Sequence, residues 1–197
     1  MFLWDLSLTN YWESVMNQST VKKELRDRLR RERTQKFSSS NFNIILKTPE
    51  IENARTIASY YSYGVEPSTT EVNQAILKAG KRLILPRVNG DVLEWVEWFG
   101  DEKALKITKK LTEPLGLPFN DLTSIDVIVV PALHIDQGGY RLGQGGGYYD
   151  RALATMSGWK IGLVHAGELT SRPLPREAHD ITLDAGATPS VVVRFNL

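Results

Sequence analysis

Apolar positions along the chain recur with two different periods, and these set the expected architecture. Ile125 to Val130 is a β-branched run interrupted only by Asp126. Runs of this kind lie at the centre of a parallel sheet, covered on both faces. Trp159–Val164 and Ser190–Phe195 read as further strands, and Arg82–Leu85 as a short buried one closed by Pro86. Arg55–Ser62, rich in β-branched and aromatic residues, reads as another. Val92–Trp98 alternates as a half-exposed strand does, after a turn at Asn89-Gly90-Asp91.

Helical patterns separate these strands. Residues 20–37 are free of Gly and Pro and rich in Lys, Arg, Glu and Leu. Their Val21, Leu25 and Leu29 predict one narrow apolar stripe against the body, with charge on the other faces. Ser38 to Asn41 then break the pattern. Thr48-Pro49-Glu50 predicts a helix start, with a capping hydroxyl, a proline in the first turn and an acid at the positive end. After a turn at Gly64–Ser68, Thr69–Lys78 predicts a helix stopped by Gly80, and Tyr148–Ser157 predicts another. The stretch 100–124, with Pro114, Gly116 and Pro118, reads as irregular. Strands alternating with helices imply the α/β class: a three-layer α/β/α domain, Rossmann-like, with a central mostly parallel or mixed sheet. No repeat or linker divides it, so residues 21–197 are expected to form one domain behind an N-terminal extension, 1–20.

The 197-residue length suits one domain with a full core. No stretch approaches the roughly 18 apolar residues of a membrane helix, so a soluble protein is expected. The chain has no cysteine, which excludes disulfides, thiolate zinc sites and cysteine nucleophiles and fits a reducing, cytoplasmic setting. Met1–Thr20 carries Trp4, Tyr11, Trp12, Asp5 and Glu13 but no Lys or Arg, which matches neither a secretory nor a mitochondrial signal. It reads as an extension docked on the domain, or as the product of a start placed upstream of Met16.

Net charge is only +1, but Val21–Lys36 concentrates basic residues. Arg28, Arg30, Arg31, Arg33 and Lys36 read as a solvated helix face. Lys22 and Arg26, four residues apart, share one face. The run lacks the interleaved aromatics of a single-strand nucleic-acid platform. His134, His165 and His179 are scattered, without the spacing of a transition-metal site, and read as packing or surface residues.

The densest chemical signal lies between the Val130 strand and the Tyr148 helix. Six of the ten residues from Gly138 to Gly147 are glycine, out of fifteen in the chain. So much glycine costs backbone entropy, and what it permits is close approach of backbone N–H groups to a ligand. A following helix adds unpaired N–H groups, and Arg141 adds a planar fork suited to phosphate oxygens. A loop at the carboxyl end of a strand is also where α/β sheets bind ligands. The segment is not a Walker A loop, since no Gly-Lys-Ser/Thr occurs, nor a complete dinucleotide fingerprint, whose last glycine position is Tyr148. Asp150 has two readings: an acid stabilising a helix start, or a carboxylate holding Mg²⁺ beside phosphates.

The segment Arg141-Leu142-Gly143-Gln144-Gly145-Gly146-Gly147-Tyr148-Tyr149-Asp150-Arg151 resembles the signature of the 5-formyltetrahydrofolate cyclo-ligases, also called 5,10-methenyltetrahydrofolate synthetases. Lys22-Lys23-Glu24-Leu25-Arg26 is similar to that family's N-terminal Lys-x-x-x-Arg helix. Tyr60 to Gly80 with Glu66-Pro67-Ser68-Thr69, then Leu85-Pro86-Arg87, Glu113-Pro114 and Leu174-Pro175-Arg176-Glu177-Ala178-His179-Asp180, follow in the family's order. The resemblance spans about residues 21–193. It implies ATP- and Mg²⁺-dependent conversion of 5-formyltetrahydrofolate to 5,10-methenyltetrahydrofolate, with release of ADP and phosphate.

By position, the resemblance implies that Lys22, Arg26 and Arg141 through Tyr149 contact ATP, with Arg141 also acting in catalysis. Asp150 and Asp180 would hold Mg²⁺. Tyr61, Glu66 and Gln144 to Tyr148 would contact the folate. Relatives with a basic residue at the places of Gln144 or Gly146 differ from this chain, which shifts the charge load to Arg141, Mg²⁺ and the N-terminal helix. The expected partners are the two substrates, with no nucleic acid or membrane, in a monomer or weak homodimer. The competing classes are a sugar-phosphate or CoA-ester enzyme on a similar scaffold, which would need neither ATP nor Mg²⁺, and a non-catalytic relative.

Overall fold

The β-branched run is indeed the middle of the sheet. The computed structural model describes residues 6–36, 40–108 and 111–195, with side chains from Gln18 onward. In chain order its elements are α1 (Leu6–Lys36), α2 (Pro49–Asn53), β1 (Thr56–Ala58), α3 (Thr70–Lys78), β2 (Arg82–Asn89) and β3 (Val92–Glu97). A hairpin follows, β4 (Leu105–Ile107) and β5 (Thr112–Pro114), and then β6 (Val127–Pro131), β7 (His134–Asp136), β8 (Arg141–Leu142) and α4 (Tyr148–Leu153). The chain closes with β9 (Trp159–Leu163), β10 (Leu169–Thr170), β11 (Ala185–Ala187) and β12 (Val192–Arg194).

Seven strands form the main sheet in the order β12-β11-β9-β6-β1-β2-β3. The five inner strands run parallel, and β3 and β12 close the edges antiparallel. The mixed α/β/α architecture expected from the sequence is therefore present. Side chains alternate across the sheet as the pleat requires. Val127, Val129, Ile161 and Leu163 pack with Ile51, Val72 and Ile76 on one face. Ile128, Val130, Leu153 and Met156 pack together on the other. Asp126, the one polar residue in the run, accepts from the Arg55 and Thr56 amides at 2.7 and 2.9 Å, fixing the start of β1 beside β6.

Several boundaries differ from the sequence reading. β2 runs through Pro86, because parallel pairing with β1 ends at Ile84 and the proline needs to donate no further ladder bond on that side. The stretch 100–124 contains the β4–β5 hairpin. Thr48 precedes α2 but does not cap it: its hydroxyl donates to the Ile45 carbonyl instead. α4 has six residues, fewer than the Tyr148–Ser157 expected. β11 was not foreseen, since Ala185-Gly186-Ala187 lacks any β-branched residue. It is selected by space, because a Cβ at Gly186 would sit about 3 Å from Leu169 and Phe195.

The largest revision concerns α1, which runs without interruption from Leu6 rather than starting at 20. Its docking face is not an apolar stripe. Val21 is exposed, and Leu29 alone of the three expected positions is buried, against Leu142 and Leu174. Lys22 and Arg33, by contrast, are 3% and 4% exposed. Arg33, expected on the solvated face, donates to both Glu168 oxygens at 2.8 and 2.6 Å and to the Ala132 and Leu133 carbonyls at 2.7 and 3.0 Å. Lys22, Arg26, Leu29 and Arg33 follow a helical i, i+4, i+7, i+11 pattern, so the face is real but mostly cationic.

Candidate functional site

The site is assembled where β6 ends. From Pro131 the chain turns into the antiparallel pair β7–β8, which returns Arg141 opposite Ile135. The Asp136 carboxylate, 1% exposed, pins this hairpin by accepting from the Gly138, Tyr140 and Leu174 amides at 2.8, 3.1 and 2.9 Å and from Arg176 at 3.1 Å. The glycine loop follows and enters α4 through Gly147, whose φ of +66° disfavours any other residue. Gly145 also has positive φ, and a Cβ there would meet the Arg26 side chain at 3.4 Å.

The loop is gripped through its carbonyls. Arg26 Nε donates to the Gly143 oxygen at 3.0 Å, Arg30 Nη2 to the Gln144 oxygen at 2.6 Å and Arg151 Nη2 to the Gly146 oxygen at 3.0 Å. Arg30 also bonds the Gln144 side chain at 2.9 Å, so although its own side chain stays 42% exposed it reaches the loop from the solvated face. With these carbonyls occupied, N–H groups are what the loop has to offer an anion.

A cavity of about 380 Å³ lies against this loop. Every site residue expected from the sequence lines it: Lys22, Arg26, Tyr61, Glu66, the whole of Arg141–Tyr149, Asp150 and Asp180. Lining residues that sequence reasoning did not single out include Tyr60, Leu93, Leu111, Glu177 and His179. Arg87, Glu113 and Glu177 sit inside motifs already noticed for their order, which was a usable signal. So does Tyr60, at the start of the Tyr60–Gly80 segment, whereas Leu93 and Leu111 carry no signal, since nothing in an isolated apolar residue marks a cavity wall.

Charges within the cavity are paired. Lys22 Nζ donates to Glu177 at 2.7 Å and to both Asp180 oxygens at 2.9 and 2.6 Å. Arg141 is 9% exposed and donates to Asp150 at 2.9 Å and to the Ile181 carbonyl at 3.0 Å. Two of the three expected phosphate-binding cations, Lys22 and Arg141, thus rest on expected metal-binding carboxylates, whereas Arg26 rests on the Gly143 carbonyl. Among the described residues, ligand atoms of Glu177, His179 and Asp180 lie within 4.8 Å of one another, a group that does not include Asp150. Carboxylate oxygens of this kind suit a hard divalent cation.

Burial raises the Glu66 carboxyl above its ordinary value of 4.5, against a smaller lowering by the Tyr63 amide. The Tyr149 hydroxyl is raised by burial first and by Glu66 second, which keeps it a neutral donor. A raised acid binds its proton more tightly folded than unfolded, so its stabilising share is complete at acid pH and is lost as pH climbs from 4.5 through the raised value. Glu66→Gln is therefore expected to raise the melting temperature at about pH 7 and to leave it unchanged near about pH 3. A pH series of thermal melts checks this, and equal shifts at both ends would contradict it.

The sequence also compares with known proteins. A family model described as the 5-formyltetrahydrofolate cyclo-ligase family matches residues 17–189. A 5-formyltetrahydrofolate cyclo-ligase of Mycolicibacterium smegmatis is 33% identical, the match covering 70% of this chain and 75% of that protein. One from Escherichia coli K12 is 31% identical over 82% of this chain and 92% of its own. Among solved structures, the NMR structure of Aquifex aeolicus 5,10-methenyltetrahydrofolate synthetase superposes with a TM-score of 0.76 at 31% identity, covering 88% of this chain and 92% of the other.

Proposed function

The chain belongs to the 5-formyltetrahydrofolate cyclo-ligase family, and on that premise we propose that its cavity is where 5-formyltetrahydrofolate is closed to 5,10-methenyltetrahydrofolate, with ATP becoming ADP and phosphate. The observation that carries the proposal is the gathering, in one cavity, of the glycine loop, Lys22, Arg26 and Arg141, the carboxylates of Asp150 and Asp180, and the Tyr61–Glu66 turn. A formamide oxygen is a poor leaving group, so ring closure needs it activated. Transfer of the γ-phosphoryl group to the formyl oxygen makes an imidoyl phosphate. N10 then attacks the formyl carbon, phosphate departs with the oxygen, and N10 gives up its proton. Alignment and charge neutralisation are the protein's share of this work.

In this reading Lys22, Arg26 and Arg141 meet the phosphates, and the amides from Leu142 to Tyr149 wrap them. Asp150 and Asp180 would hold Mg²⁺, which when bound offsets phosphate charge. Glu66 faces the donor edge of the pterin beside Tyr61, and Gln144 to Tyr148 lie between the two substrates. The proposal extends to a cytoplasmic enzyme, monomeric or weakly dimeric, acting on neither nucleic acid nor membrane. Supporting the former exclusion, Lys22, Arg26, Arg30 and Arg33 all bond internal acceptors. Among the described residues no helix is long and apolar enough to cross a membrane.

The test is to mix protein, 5-formyltetrahydrofolate, ATP and Mg²⁺ and follow product by near-ultraviolet absorbance. Product is expected, and its formation should stop when ATP is omitted. Product formed without ATP, or none at all, would point to the phosphate-only or non-catalytic readings. Asp150→Asn is expected to cut the rate about 10- to 100-fold and to blunt the response to Mg²⁺; a fully active variant would remove Asp150 from the metal site.

A further inference from the structure

The cavity's cations and carboxylates exchange partners if the proposed function is right. Lys22 rests on Asp180 and Arg141 on Asp150. When those two carboxylates turn to a metal, each cation loses a partner it now has. Each also keeps one anchor outside the assigned metal ligands. Arg141 keeps the Ile181 carbonyl at 3.0 Å, and Lys22 keeps the Glu177 carboxylate at 2.7 Å. Both anchors lie in the single segment Glu177–Ile181.

We propose that Glu177 is the positioning residue for Lys22, holding its ammonium at the cavity wall while Asp180 is engaged elsewhere. The inference rests on the ATP-dependent reading above. The burial of Lys22 gives it force: at 3% exposure the ammonium cannot turn to bulk water, so an anionic partner must stay beside it before the phosphates arrive. Local geometry makes Glu177 able to stay. Its own amide donates to Asp180 Oδ2 at 2.7 Å, and the Asp180 amide donates back to the Glu177 carbonyl at 3.1 Å. The second of these bonds is purely backbone, so it keeps the Glu177 turn in place even when the Asp180 carboxylate, which also holds Lys22 through Oδ2, is engaged elsewhere. His179 does not compete for this role: its ring is 69% exposed and lies 3.8 Å from Glu177.

Two arguments give opposite signs for removing the Glu177 charge. Simple Coulomb repulsion says that deleting an acid near a triphosphate tightens its binding. Positioning says that binding weakens, because Lys22 is no longer held where the phosphates arrive. The positioning effect is expected to win, because outer-shell partners of ligand-binding groups typically contribute about tenfold or more.

The experiment is calorimetric titration of the full-length protein with a non-hydrolysable ATP analogue and Mg²⁺, and separately with 5-formyltetrahydrofolate. Wild type, Glu177→Gln, Lys22→Gln and the double variant are compared. Glu177→Gln is expected to bind the analogue about tenfold more weakly, with folate affinity unchanged. In the Lys22→Gln background the same change is expected to add nothing, because its effect runs through Lys22. Analogue bound as tightly or more tightly by Glu177→Gln overturns the inference, as does an undiminished effect in the double variant. Should Glu177→Gln fail to fold, Glu177→Asp takes its place. Weaker analogue binding that vanishes without Lys22 then upholds the role, and unchanged binding overturns it. Wild type that binds no analogue would sink the ATP reading and this inference together, whereas a tight wild type with an indifferent Glu177→Gln sinks this inference alone.

Discussion

Arg141→Ala is expected to lose about 10²- to 10³-fold in kcat/KM for ATP, the size of effect seen when one preorganised donor is removed from developing charge. Three features set that magnitude. The guanidinium is almost wholly buried, so its charge acts in a medium poorer than water at screening. Its fork is already oriented by the Ile181 carbonyl and Asp150, which means little rotamer entropy remains to be lost on binding phosphate. And with no basic residue in Gln144–Gly147, no neighbour in the loop can replace it. Arg141→Lys keeps the charge but cannot reach both anchors, so it should fall between wild type and Ala. Initial rates with ATP varied at saturating folate are the measurement. Values within about threefold of wild type would remove Arg141 from the chemistry.

Asp136→Ala is expected to destabilise the fold by about 3–5 kcal/mol, because it strands several donors at once. Its side chain is fully buried and accepts from three backbone amides and Arg176. Two of those amides set the hairpin that carries Arg141, and the third, of Leu174, anchors the segment leading to Glu177 and Asp180. The variant should therefore weaken ATP use as well as lower the denaturant midpoint. Arg176 is 43% exposed and can turn to water, so Arg176→Ala should cost far less. Chemical denaturation at matched slopes decides the matter, and a loss below about 1 kcal/mol would mean the amides find other partners.

The signals that were legible in the sequence are local ones. The run at 125–130 is a strand because β-branched side chains prefer the extended backbone, whatever surrounds them. Gly64, Gly80, Gly90 and Gly147 fall where φ is positive, a choice made within a residue or two. The glycine loop announced itself for the same reason, since the number of Cβ atoms it lacks can be counted without coordinates. The Asn-Gly-Asp turn and the α3 helix belong with these.

What could not be read depends on groups far apart in the chain. Lys22 was expected at the site, but nothing near it in the chain pointed to its partner Asp180, 158 residues away. Arg26 meets the Gly143 carbonyl across 117 residues, and Arg33 meets that of Ala132 across 99. An apolar-stripe rule fails on α1 because a buried cation with a carboxylate or carbonyl partner docks as well as a leucine, and the partner is invisible in a helix-length window. β11 escaped for a steric version of the same reason, since Leu169 and Phe195 dictate its glycine.

The sequence by itself therefore determined the kind of fold and the place of the glycine loop, because these follow from backbone preferences acting over a few residues, while the residues expected around the loop came from the family resemblance. Tertiary structure alone decided which cation faces which carboxylate. Coulomb and hydrogen-bond energies depend on distance in space, and the order of residues along a chain does not contain that distance.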